Sequence, residues 1–216
     1  NRKSPWQDTL EGFKYVSGSP LVGGLILLSI LPFLFGLSIN TLLPAFNTDI
    51  LRAGPDTLGL LMTGMGVGAI LGSLLLAKLS SLKKKGYWVI ITAATWGLAV
   101  VGFGTTDQFS VAMLFISLVG FISAINMSMN RSLVQLQVKQ SMRGRIMSID
   151  LMSHGLMPLG VLPIGYIAEE YGIQAGLVVS GLILFCSSLL LGYFTKAVRQ
   201  IDTGYLVPPK DLTRPG

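Results

Sequence analysis

Charge is what this sequence has least of. Of its 216 residues only 12% are charged, 10 of them acidic, and it holds one histidine and one cysteine. Soluble domains carry about 25% charged residues, so a water-facing globule is excluded. The lone cysteine, Cys186, sits inside an apolar run, which excludes a disulfide framework and a thiolate metal site. One histidine supports no Ser/His/Asp set, and there is no phosphate-cradling loop, so an enzyme is not expected. No metal and no cofactor is expected either.

Apolar residues are abundant instead: 51% of the chain, with a mean hydropathy of +0.66. They come in long runs. From Thr57 to Ala77 no residue is charged, and about 20 such residues cross a hydrocarbon core of ~30 Å as a helix. Gly64, Gly68 and Gly72 recur every fourth residue of this run and share a helix face. Bare backbone there lets a second helix approach closely, the means by which helices associate in lipid. The run ends at Lys78 and the cluster Lys83, Lys84, Lys85. Such a cluster marks a cytoplasmic end and meets anionic headgroups.

The remaining runs give an all-α membrane protein with six transmembrane helices over residues 21–195, after a leader (1–20) and before a tail (196–216). Trp6, Leu10, Phe13 and Val16 make the leader a short amphipathic helix at the membrane surface. The proline-rich tail reads as disordered. Six spans with both termini inside leave 15 of the 16 basic residues on the inner side, Arg52 being the exception. That one-sidedness fixes an N-in, C-in topology and turns the net charge of +6 away from nucleic acid. The first residue is Asn1 and not Met, so the chain reads as a fragment or as one whose start is not included.

Polar groups inside the spans are the candidate site residues. In the first span Pro32, Gly36, Asn40 and Pro44 fall at fourth-residue spacing, which places them on one face of a kinked helix. That face lines a cavity or packs through an interhelical hydrogen bond from Asn40. In the fourth span Asn126 and Asn130 lie one turn apart beside Met127 and Met129, with Arg131 following. Two amides and flexible thioethers suit a cavity mouth for a ligand of mixed polarity, or serve as interhelical glue beside an interface arginine. Basic residues Arg143 and Arg145 around Gly144 lie in the inner loop before the fifth span. That span holds Gly155, Pro158, Gly160, Pro163 and Gly165 and is the most interrupted in the chain. Interrupted spans mark transporter binding regions. His154 falls near its midplane, as a proton or ligand group or as a neutral hydrogen-bonded imidazole. Asp150 lies about one turn in, where a helix N-terminus and nearby arginines favour a carboxylate.

Two stretches carry a family resemblance. Gly72 to Lys78 with Lys83 to Gly86 resembles the second-half copy of the signature loop of the major facilitator superfamily, without the signature aspartate. Gln135, Met142-Arg143-Gly144-Arg145-Ile146-Met147-Ser148, Pro158-Leu159-Gly160, Gly165 and Gly172 are similar to its transmembrane secretion effector branch, which includes siderophore and macrolide exporters. The resemblance implies one six-helix half of a twelve-helix fold in the bacterial inner membrane. Its partners would be the bilayer, a small-molecule substrate, and a missing N-terminal half or a homodimer mate. It further implies proton-coupled export by alternating access. A lysophospholipid-type transporter and a non-transporting membrane scaffold are the alternatives.

Overall fold

Ser19 opens the first helix by accepting a hydrogen bond from Val22 N on its side-chain oxygen, and Pro20 takes the first helical position, where a missing N–H costs nothing. Helix α1 then runs Pro20–Leu31. The computed structural model describes residues 12, 14–78, 84–138, 140–199 and 201, with backbone only at 141, 153 and 154. Residues 14–18 of the leader are helical. The rest of the leader's core (1–11 and 13), Lys83 and the tail from 202 lie outside the described residues.

Six helical segments are long and apolar enough to span a membrane: Pro20–Ile50, Pro55–Lys78, Lys85–Gly104, Phe109–Gln137, Arg143–Tyr171 and Ile173–Phe194. Among the described residues there is no strand. The first span is not one continuous α-helix. After α1 it widens into a π-helical turn at Pro32–Gly36, resumes as α2 (Ser38–Ala45) and widens again at Phe46–Ile50. Pro32 has no N–H and crowds the carbonyl four residues back, and a wider turn relieves that crowding. Freed backbone groups find partners, as lipid requires. The hydroxyls of Ser38 and Ser180 both donate to Phe35 O.

This corrects the expectation of a single face. A π turn shifts the register of everything after it, so Pro32 and Gly36 are buried, Asn40 is half-buried and Pro44 is exposed. The second, third and fourth spans are single helices, α3 (Pro55–Lys78), α4 (Lys85–Gly104) and α5 (Phe109–Gln137). The fifth is α6 (Arg143–His154) and α7 (Met157–Tyr171), interrupted at Gly155-Leu156, and the sixth is α8 (Ile173–Phe194). Arg143, Gly144 and Arg145 therefore form the first turn of a helix, not a loop. Charge marks where a helix leaves lipid, which is not where its hydrogen bonding stops. A short α9 (Lys196–Arg199) folds back so that Val198 meets Gly24 and Gly86. The starts of the first and third spans and the end of the sixth thus share one end of the bundle.

Packing is by backbone approach. A Cβ on Gly68 would collide with Ser117 O, and one on Gly72 with Phe121 O. Gly120 answers from α5, where a Cβ would meet Met65 O. Gly64 lies over Met113 Sδ and Ser117 Oγ. Helices α4 and α8 are joined the same way, Gly97 facing Gly181 O and Gly181 facing Gly97 O. Two apolar clusters fill the bundle: one around Trp96, Phe103, Ile116 and Leu184, the other around Leu25, Val89, Leu133 and Ile146 near the end that holds α9. Trp96, placed mid-span by the sequence, is fully buried against Gly36. The second and fifth spans are the least buried and present Ile70, Leu74, Leu159 and Leu162 outward.

Because Gly68 has backbone and not a flexible side chain opposite it, Gly68→Ala is expected to destabilise the protein by about 1–3 kcal/mol. Unfolding of the purified protein in detergent, followed by circular dichroism, checks this.

Candidate functional site

A group of polar residues collects where α1, α5 and α6 meet, between Ser29, Asn126, Asn130, Arg131 and Asp150. Asn126 is buried and donates through Nδ2 to Val89 O (2.8 Å) and to Thr92 Oγ1 (2.9 Å), tying α5 to α4. Asn130, one turn on, donates through Nδ2 to Leu25 O (3.2 Å) and ties α5 to α1. That bond fixes the orientation of the amide. Its Oδ1 is buried and has no hydrogen-bond donor among the described residues.

Asp150 is 1% exposed. The hydroxyl of Ser29 donates to its Oδ1 at 2.6 Å, and Arg131 Nε stands 3.9 Å from its Oδ2. Three spans therefore meet at one carboxylate. Ser29 is the tenth residue of α1, about 14 Å along it at 1.5 Å per residue. This carboxylate thus sits well inside the bundle. A charge at such depth is costly unless paired or facing water, which is why intramembrane carboxylates cluster at functional places. Arg131 is half-exposed and lies beside Asn130 at a small cavity of about 10 Å³, room for one water, walled by Ser29, Pro32, Phe33, Asn126 and Met127.

The other sequence-predicted residues fall elsewhere. Asn40 is half-buried in α2 and its side chain forms no hydrogen bond among the described residues. His154 ends α6, and its side chain lies outside the described residues. Gly64, Gly68 and Gly72 are contact points with α5. Gly160 is pressed on Leu34 O in the first wide turn, whereas Pro158 and Pro163 are exposed and Gly165 faces open space. Lys84 caps α4 in the left-handed region at φ 56°, and Lys85 is the first residue of that helix. Ser29 escaped sequence reasoning, since a serine in an apolar run gives no signal. Arg131 was visible as a charge next to Asn130, but its pairing with Asp150 was not. Among the described residues no group of histidine, cysteine, aspartate and glutamate is placed to hold a metal ion.

A family model described as transmembrane secretion effector matches residues 6–215. The chain belongs to that family. Transmembrane secretion effectors are a branch of the major facilitator superfamily. Among the effector's relatives are enterobactin exporters of Escherichia coli O9:H4 and Shigella dysenteriae serotype 1, each 25% identical over 208 residues, and of Escherichia coli O81, 28% identical over the same length. Each alignment covers 93% of this chain and 50% of the relative. The chain thus spans about half the length of the curated relatives it matches. No solved structure matches.

Both hydrogen bonds of Asn126 run to α4, to Val89 O and Thr92 Oγ1. Asn126→Ala is expected to cost about 0.6–1.7 kcal/mol, the range for interhelical polar contacts in bilayers. Detergent unfolding measures it.

Proposed function

We propose that this chain is one half of a secondary active exporter, proton-coupled and working by alternating access, that moves an amphipathic small molecule such as a siderophore or a drug across the bacterial inner membrane. The observation that carries this reading is the polar junction of Ser29, Asn130, Arg131 and Asp150, which holds the one buried carboxylate among the described residues. A protein that only spans the membrane gains nothing from a buried carboxylate. Family membership and the enterobactin exporters among the relatives support the same reading. We read both termini as cytoplasmic and the chain as without catalytic activity.

The relatives are about twice as long, which fits a second six-helix half as partner, with a homodimer mate as the other arrangement. The outer face of α3 supports a covering partner, since Gly59 and Gly66 face open space and a groove of about 370 Å³ lies along Ala69, Ile70, Ser73 and Leu74. The substrate path would run beside the first, fourth and fifth spans, past Asn40, Asn130 and His154.

The test uses the intact gene product in proteoliposomes with an imposed proton gradient. Export of enterobactin or of a macrolide that stops when the gradient is collapsed supports the reading. No gradient-dependent flux of either sinks it. His154→Ala is expected to change the pH dependence of that export. An unaltered pH profile removes His154 from coupling.

A further inference from the structure

We propose that Arg131 is an anion-recognition residue of the transported molecule, with Asp150 as its resting counter-ion. This rests on the exporter reading and names the substrate class: an amphiphile carrying an acidic oxygen.

Three observations carry it. Arg131 lies six residues inside the end of α5, about 9 Å along the helix, yet its side chain is 44% exposed. The end of α5 reaches beyond lipid on the inner side, so this half-exposed guanidinium stands at the inner mouth of the bundle, where water and a polar ligand can reach it. The pairing with Asp150 is loose. Nε approaches Oδ2 at 3.9 Å, beyond hydrogen-bond distance, and Arg131 forms no side-chain hydrogen bond among the described residues. Its two terminal nitrogens, the edge that grips a carboxylate with two parallel bonds, therefore have no partner among the described residues. The enclosed space beside the pair holds about 10 Å³, one water, so an anion would meet the guanidinium from its exposed side, with Phe33 and Met127 as apolar neighbours and the Asn130 Oδ1, buried and without a donor among the described residues, left for that water.

Among the described residues the first span has no ionisable residue except Asp49 at its far end and the fourth has Arg131 alone, while Arg143, Arg145 and His154, the last with its side chain outside the described residues, share the helix of Asp150. Lys14 and Tyr15 of the leader lie near that helix end, where Gly12 meets Ile149. Asp150 is held in place by Ser29 and competes with any external anion for the guanidinium. Removing the competitor should tighten anion binding, and removing the guanidinium should weaken it. A purely structural ion pair predicts no such opposition, because losing either partner then harms the same contact.

Salicylate is the probe, an aromatic anion with a hydroxyl next to its carboxylate, and salicylamide is its neutral counterpart. Binding is read by calorimetry on the intact gene product in phosphatidylcholine nanodiscs. Salicylate is expected to bind more tightly than salicylamide. Arg131→Gln should weaken salicylate roughly tenfold or more, the loss of a charge-assisted pair. Asp150→Asn, which keeps an acceptor for Ser29, should tighten it roughly two- to fivefold. Equal binding of the two probes, no saturable salicylate binding, or weakening by Asp150→Asn overturns the proposal, and the last of these does so even where Arg131→Gln fails to fold. Displacement of salicylate by phosphatidylglycerol assigns the guanidinium to a lipid headgroup and overturns the substrate role. Wild-type flux is measured separately, so anion binding without transport refutes the exporter reading and leaves the site standing.

Discussion

The reciprocal contact between the second and fourth spans sets the position of nearly everything polar in this bundle. Gly68 faces the backbone of Ser117, and Gly120 faces the backbone of Met65. In lipid, apolar side chains gain little by leaving one hydrocarbon surface for another, so helices are held by dense van der Waals contact and by polar bonds. Glycine maximises the first. With α5 placed in this way on α3, its later turns carry Asn126 to α4 and Asn130 to α1. Arg131, the next residue, then falls beside Asp150. The glycine contact and the ion pair lie on one rigid helix, and a shift in the first moves the second.

A second constraint acts on the first span. No backbone carbonyl inside a bilayer can be left to solvent. Pro32 interrupts the α-helical ladder, and the chain answers with a wide turn, two serine hydroxyls on Phe35 O and the close seat of Gly160 on Leu34 O. The wide turn begins three residues after Ser29, the residue that holds Asp150. The irregular part of this span and the polar junction are therefore neighbours. Such turns recur at functional places because they cost helical bonding and persist only where neighbours compensate.

Much of the fold was legible in the chain's local patterns. The six apolar runs, the glycine stripe of the second span and the interruption of the fifth are local signals, since length, period and proline chemistry act within a few residues. The helix ends were less legible. The fourth span continues to Gln137 and the fifth begins at Arg143, because polar residues extend a helix beyond lipid as readily as apolar ones within it. The single face expected for Pro32, Gly36, Asn40 and Pro44 dissolved for a related reason. An α-helical count of 3.6 residues per turn does not survive a π turn in its middle.

The candidate site divides along the same line. By itself the sequence determined that an aspartate and two asparagines lie within membrane-spanning stretches and that an arginine stands at the inner end of one, for their depth follows from counting residues along a helix. Only the tertiary structure decided that Asp150 is enclosed by Ser29 and Arg131, that Asn126 is spent on holding α4, and that Asn130 keeps an acceptor without a donor among the described residues. Ser29 and Asp150 are 121 residues apart in the chain. No local period relates residues so distant. Their meeting depends on how α1, α5 and α6 rotate about their axes, and that rotation is set by side chains and glycines packing across helices.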